Sequence, residues 1–260
     1  MIKKMYYKGV CFTLSLAVYS CSLVDVSEFH DAQTLGEGKK SIAISFMQGP
    51  APDFLHKNNT IATQDIKPAI FPFALPLEFR VQYGVAKNHD LGFAIWTCNI
   101  PVDWAEYDIG FKGNWKWMLT DRKSTFKIAI NSSAMYYSTK SNGDIDYNYS
   151  IGGFGSALIF SYHPQNTWNI RSIYGGIKPQ LYFYSATTEA DSKAPSEFRG
   201  KPLDISGKTM VISPFIGLKL SWEKSTTGFE FMPSFAYSDF THRLEIISFS
   251  IGITAEIPYK

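Results

Sequence analysis

The chain has 260 residues, of which 45% are apolar, 16% aromatic and only 18% charged, with a formal charge of +2. The aromatic load excludes a disordered chain, the ordinary glycine and proline counts exclude collagen-like and low-complexity chains, and no apolar run reaches the roughly 18 to 20 residues of a membrane helix. The near balance of charge leaves no basic face for nucleic acid.

The first element is an address. Lys3, Lys4 and Lys8 precede a mostly apolar stretch, 9–18, followed by Val18-Tyr19-Ser20-Cys21. A positive start, a short apolar run and a small residue before the cut predict a secretory signal peptide over 1–20. Its removal takes the formal charge to about −1. Leu16-Ala17-Val18-Tyr19-Ser20-Cys21 resembles the lipobox of bacterial lipoproteins. That resemblance implies lipidation of Cys21 as the new N-terminal residue, with Tyr19 departing from the usual small or aliphatic residue. The other reading is an ordinary signal peptide cut near the same point. Lipidation anchors at about 0.8 kcal/mol per buried CH₂. Residues 21–40 then read as an N-terminal tether and 41–260 as one domain. Cys11 and Cys98 offer neither a disulfide framework nor zinc spacing, and no metal or cofactor is expected.

Beyond the tether one signal repeats. Side chains alternate faces along a strand. In 105–119 one face reads Tyr107, Ile109, Phe111, Gly113, Trp115, Trp117 and Leu119, the other Glu106, Asp108, Gly110, Lys112, Asn114, Lys116 and Met118. Similar segments predict ten strands in chain order: 42–47, 75–85, 91–98, 105–119, 125–138, 147–162, 170–185, 215–223, 228–238 and 247–259. The short polar connections 86–90, 120–124, 163–167 and 224–227 follow even strands. The long ones, 48–74, 139–146 and 186–207, follow odd strands and therefore share a rim.

Alternation alone suits a soluble sandwich as well as a membrane barrel. Three features favour the barrel. Charges sit in mid-strand on the polar face. Aromatics gather near both ends of the strands: Tyr83, Trp115, Trp117, Phe126, Trp222, Phe229 and Tyr259 towards the short turns, and Trp104, Tyr107, Tyr136, Tyr147, Tyr149, Phe183 and Tyr237 towards the long loops. Two such girdles belong where a barrel crosses two membrane interfaces. The strand count is even, with one rim of short turns.

These traits resemble bacterial outer-membrane β-barrels over 41–260. The run Asp31-Ala32-Gln33-Thr34-Leu35-Gly36-Glu37-Gly38, followed by Ser41-Ile42-Ala43-Ile44-Ser45, looks like the opening of uncharacterised outer-membrane lipoprotein barrels. The resemblance implies an all-β, single, closed, antiparallel up-and-down transmembrane barrel in the bacterial outer membrane. It implies membrane lipid and the outer-membrane assembly machinery as partners. Such barrels often end in an aromatic residue; here Tyr259 is followed by Lys260.

Candidate chemistry is sparse. Asp239 and His242 share one long-rim loop and form a candidate acid–base pair. The ten-stranded omptin proteases place Asp and His residues at that rim, but no omptin motif matches, and an Asp-x-x-His in a loop is usually solvated. Gly36-x-Gly38, Gly152-Gly153-x-Gly155 and Gly175-Gly176 lack the strand-to-helix setting of a phosphate loop and read as bends or close packing. The expectation is therefore a non-enzyme. The functional material is the polar face: Glu78, Arg80, Glu106, Asp108, Lys112, Lys116, Lys127, Lys178, Lys219, Glu223, Glu230 and Glu256. In a small barrel such residues fill the lumen rather than line a channel. The expected role is structural or surface-binding, with a ligand at the long loops; the alternative is a narrow, weakly selective pore.

Overall fold

Strands with one apolar and one polar face must choose which face to turn inward, and here the choice is the reverse of a soluble protein's. The computed structural model describes residues 28–48, 77–97, 107–141, 145–165, 169–190, 203–222, 225–238 and 243–259. Ten antiparallel strands form it: β1 (Lys40–Gln48), β2 (Leu77–Ala86), β3 (His89–Thr97), β4 (Tyr107–Met118), β5 (Phe126–Ser141), β6 (Ile145–Tyr162), β7 (Ile170–Ala190), β8 (Leu203–Ser221), β9 (Thr226–Ser238) and β10 (Arg243–Tyr259). Each strand pairs with its chain neighbours, and β1 closes on β10, so the sheet is a single closed barrel. The closing seam runs antiparallel from Lys40↔Tyr259 to Gln48↔Ile251. Closure removes the edges that hydrocarbon would not tolerate.

The outside of the wall is apolar. Phe154, Ile216 and Ile257 are 57%, 61% and 57% exposed, while Arg80 and Lys178 are 1% and 0% exposed inside the barrel. Along β2, Phe79, Val81, Tyr83 and Val85 point out and Glu78, Arg80, Gln82 and Gly84 point in; β4 repeats this from Ile109 to Met118. In water, that many exposed large apolar side chains would be an aggregation surface. As a band facing lipid it is the expected exterior of a membrane barrel. Among the described residues no helix is long and apolar enough to cross a membrane; the strands make the crossing. Aromatic neighbours stack along the band, as in Phe93–Phe111 and Phe126–Phe160 with ring centroids 6.3 Å apart. Ser132 and Ser156 face outward and bond each other at 3.1 Å, which spares two hydroxyls from facing lipid alone.

Two connections differ from the sequence expectation. The fifth, expected over 139–146, shrinks because β5 runs on to Ser141 and β6 begins at Ile145. The seventh, expected over 186–207, shrinks because β7 reaches Ala190 and β8 begins at Leu203 rather than at Phe215. The physical reason is that these strands carry large side chains on both faces. In β7, Tyr182 and Tyr184 point in while Phe183 points out, so the period-two contrast fades. β5 to β8, at 16, 18, 21 and 19 residues, exceed the roughly 9 to 11 that a membrane crossing requires. Their excess stands beyond the apolar band on the rim away from the short turns.

The outward phase of β10 is testable at Ile253, which is exposed beside buried Thr254. Ile253→Arg should cost about 2–4 kcal/mol near mid-membrane, whereas Ile253→Leu should cost under about 1.5 kcal/mol. Denaturant unfolding of the vesicle-inserted protein measures both. Equal costs would mean that this face does not meet lipid.

Candidate functional site in the barrel lumen

A narrow lumen lined with charge must either hold water or be filled, and this one is filled from the chain's own N-terminal side. Residues 28–39 enter before β1. Glu28, Phe29, His30, Asp31, Ala32 and Thr34 are buried inside the barrel. The expected tether over 21–40 thus contains, in its described part, a segment threaded through the lumen.

The route begins at a tight turn on the short-turn rim. Gly36 and Gly38 have φ of 92° and 75°, a left-handed conformation that glycine adopts without strain. Lys39 N–H donates to the Gly36 carbonyl at 3.1 Å, and Gly38 N–H donates to the Gly84 carbonyl at 2.8 Å. A Cβ on Gly84 would lie 2.0 Å from the Gly36 carbonyl oxygen, so β2 has to be bare where the turn crosses it. From this floor the segment rises to Glu28. There it meets Glu230, the fifth residue of β9, and Asn131, the sixth of β5. That is a climb of roughly 13 Å for strands tilted by about 40°.

The wall grips the segment's backbone from both polarities. The Glu230 carboxylate accepts the Glu28 and Phe29 N–H groups at 2.6 and 2.7 Å. The Asp90 carboxylate accepts the Leu35 N–H at 2.9 Å, and the Ser161 hydroxyl accepts the Ala32 N–H at 3.2 Å. In the other direction Lys116 donates to the Gln33 carbonyl at 2.7 Å, and Arg122 donates to the Thr34 and Leu35 carbonyls at 2.7 and 2.9 Å. Side chains add to this. Glu28 forms an ion pair with Lys178 at 3.2 Å and accepts a hydrogen bond from Asn131. Asp31 accepts the Ser172 hydroxyl at 2.8 Å. Gln82 contacts the His30 ring at 3.0 Å. Phe29 has φ of 46°, unusual for a bulky residue; its ring is held against Gly252, where an added Cβ would fall 2.0 Å from it. On the short-turn side, burial pushes the His163 imidazole below its usual pKa, and it contacts the Ser161 hydroxyl at 2.9 Å.

Above the charged zone the lumen is aromatic and apolar, which the sequence reading of a polar lumen did not include. Trp96, Tyr137, Tyr182, Tyr184, Phe215, Met135, Ile151 and Met232 cluster there. Trp96 and Tyr137 stack at 6.4 Å and 7°. Inward glycines make the room. Trp96 lies over Gly110, Tyr182 over Gly153, Tyr184 over Gly207 and Tyr174 over Gly217; in each case a Cβ would come within 2.4 Å of the ring or its hydroxyl. The Gly153 position belongs to one of the runs read from sequence as close packing.

Of the polar-face residues named from sequence, Glu78, Arg80, Lys112, Lys116, Lys127, Lys178, Lys219, Glu230 and Glu256 are all buried in the lumen. They fall into groups. Lys219 pairs with Glu256 at 3.3 Å, Arg80 with Glu78 at 3.5 Å, and Lys116 with Asp90 at 3.4 Å. Glu230, Lys116 and Lys178 hold the threaded segment. Asp108 lies on β4, but its side chain, together with Glu106, Glu223, Asp239, His242 and Cys21, is outside the described residues. Glu28, His30, Asp31 and Asp90 are parts of the site that sequence reasoning missed. No charge imbalance in the sequence pointed to them, because the inward residues read from it number six cations and six carboxylates.

No protein-family model and no curated protein matches the chain. Solved structures do. The outer-membrane protease OmpT from Escherichia coli matches with a TM-score of 0.52 at 12% identity, covering 88% of this chain and 99% of that one. The attachment invasion locus protein Ail of Yersinia pestis matches at 0.34 and 10% identity, covering 86% and 99%, and the neisserial surface protein NspA at 0.34 and 8%, covering 85% and 96%. The first likeness shows the fold, that of bacterial outer-membrane barrels. At such identities the likeness does not extend to chemistry.

The fit of Phe29 against Gly252 gives a direct check on the threaded segment. Gly252→Ala should unseat the ring, so that backbone amides of 28–34 exchange at least about tenfold faster while those of β9 and β10 stay protected. Hydrogen exchange read by mass spectrometry distinguishes this from unfolding of the barrel.

Proposed function

We propose that the protein is an outer-membrane barrel of structural or surface-binding role, kept closed to solutes by its own N-terminal segment. The supporting observation is the burial of 28–32 in mid-lumen, within a segment 28–35 that is bonded to side chains of β2 to β7 and β9. Small barrels filled by side chains do not conduct as the roughly 16- to 18-stranded porins do, and here a stretch of main chain adds to the filling. The surface-binding part of the reading is supported by the overhang of β5 to β8 past the apolar band. The connections 49–76 and 191–202 spring from that same rim, and a ligand would meet them there. The outer-membrane assembly machinery and membrane lipid are the partners this reading requires. No catalytic role is assigned.

The purified protein in a planar bilayer should show no sustained single-channel steps. Steady conductance in the unmodified protein would overturn the closed-barrel reading and favour the narrow pore.

Acylation of Cys21, after removal of a signal peptide over 1–20, belongs to the same proposal and rests on the Val18-Tyr19-Ser20-Cys21 sequence. A clickable fatty acid fed to cells should mark the wild type and not Cys21→Ser; equal labelling of both would remove the lipoprotein part.

A further inference from the structure

Holding the segment needs the Ser161 hydroxyl as an acceptor, but Ser161 has a second partner that holding does not need. It is the last but one residue of β6, and His163 follows two positions on, so the strand's alternation turns both side chains to one face. Ser161 Oγ and His163 Nε2 lie 2.9 Å apart, the reach of a serine and its general base. The ring is also hydrogen-bonded to the Arg171 main chain. With that bond donated by the other ring nitrogen, Nε2 of the neutral imidazole is left to accept the serine proton. Burial, which holds this imidazole below its usual pKa, favours that neutral form.

What lies against the serine is main chain. Ser161 Oγ accepts the Ala32 N–H at 3.2 Å, so the nitrogen of the Asp31–Ala32 peptide bond already sits where a leaving amine would sit. The carbonyl oxygen of the same bond is 3.5 Å from Lys116 Nζ, a cation beside the atom on which negative charge would develop under attack. The Asp31 carboxylate is tied to the Ser172 hydroxyl at 2.8 Å and to the Gln33 N–H at 3.2 Å, which fixes the acyl side of the bond.

We propose that the barrel cuts its own threaded segment between Asp31 and Ala32, once per molecule. Ser161 Oγ adds to the Asp31 carbonyl carbon while His163 Nε2 takes its proton and Lys116 faces the oxyanion. The C–N bond then breaks and His163 passes the proton to the Ala32 nitrogen, leaving Asp31 as an ester on Ser161 and Ala32 as a free amine. Water reaches the half-buried His163 from the short-turn rim. It hydrolyses the ester, giving its proton through His163 to the serine. Before the reaction Oγ lies on the N–H edge of the bond, with the carbonyl carbon about 4 Å away by standard peptide dimensions. Turning the Asp31–Ala32 peptide plane brings its carbonyl face to the serine at the expense of one hydrogen bond, and leaves the Ser161–His163 pair in place. Ser161 is 1% exposed behind Ala32, so the resident chain is its substrate. The cut parts the barrel from everything before Ala32, with whatever anchor Cys21 carries.

The test holds refolded full-length protein at neutral pH in detergent for several days, with folding read from heat-modifiable mobility. Intact mass and N-terminal sequencing should show a new N-terminus at Ala32, formed at a first-order rate unchanged by dilution. S161A and H163Q should stay whole, and K116M should be slowed at least about tenfold. Hydroxylamine should trap the ester, leaving Asp31 as a hydroxamate at the end of the released piece. A folded wild type that stays whole, a cut at another bond, a rate that rises with protein concentration, or equal cutting of S161A would overturn the proposal. Should S161A fail to fold, H163Q decides in its place. Should neither fold, the wild type decides alone, and cutting without the Asp31 hydroxamate overturns it.

Discussion

The β1–β10 seam is the constraint on which the rest of the structure depends. In hydrocarbon a lone backbone amide or carbonyl costs several kcal/mol, so a sheet with two free edges could not sit there. Nine residues of β1 pair with β10 and seven of them also pair with β2, and that short strand turns a ribbon into a barrel. Once the ring is closed, every side chain has one of two destinations, lipid or lumen. The inversion of burial follows, with arginine and lysine inside and phenylalanine outside.

The enclosed space then sets its own demands. A ten-strand ring encloses more space than ordinary inward residues fill at every level. Two solutions operate at different heights. In the upper lumen, large aromatics from one strand lie over glycines of the next, so that Trp96, Tyr174, Tyr182 and Tyr184 can fit where two side chains would collide. In the lower lumen, a piece of main chain supplies the volume and brings two further buried carboxylates, Glu28 and Asp31. The two zones meet at Tyr174, whose hydroxyl donates to Glu230 at 3.1 Å, the same carboxylate that holds the Glu28 and Phe29 amides. Aromatic packing above and the threaded segment below are thereby linked through one side chain.

The floor turn shows how local chemistry and global shape agree. Gly36 and Gly38 supply the left-handed bends, Gly84 supplies clearance, and Arg122 and Asp90 tie down the main chain just above. The chain can therefore leave the lumen and enter β1 within a few residues, which places the start of β1 beside Tyr83 near the short β2–β3 turn. Without that sharp exit the seam and the threaded segment would compete for the same stretch.

The sequence by itself determined the two-faced strands, because alternation is a local property, and its mid-strand charges, aromatic girdles and rim of short turns pointed to the membrane barrel. The two faces of 77–85 and 109–118 are legible residue by residue, and the mid-strand Arg80, Lys112 and Lys116 could only face a lumen once the other face was committed to lipid. Strand limits were legible where the faces contrast and were lost in β7 and β8, where Tyr182, Phe183 and Tyr184 load both faces. Only the tertiary structure decided what fills the lumen. Glu28 and Asp31 lie in a polar stretch with no period, and nothing local distinguishes an exposed tether from a threaded one. Their partners Lys178, Ser172 and Glu230 are more than a hundred residues away in sequence. Such a contact exists only after the ring has closed and brought seven strands around one short piece of chain.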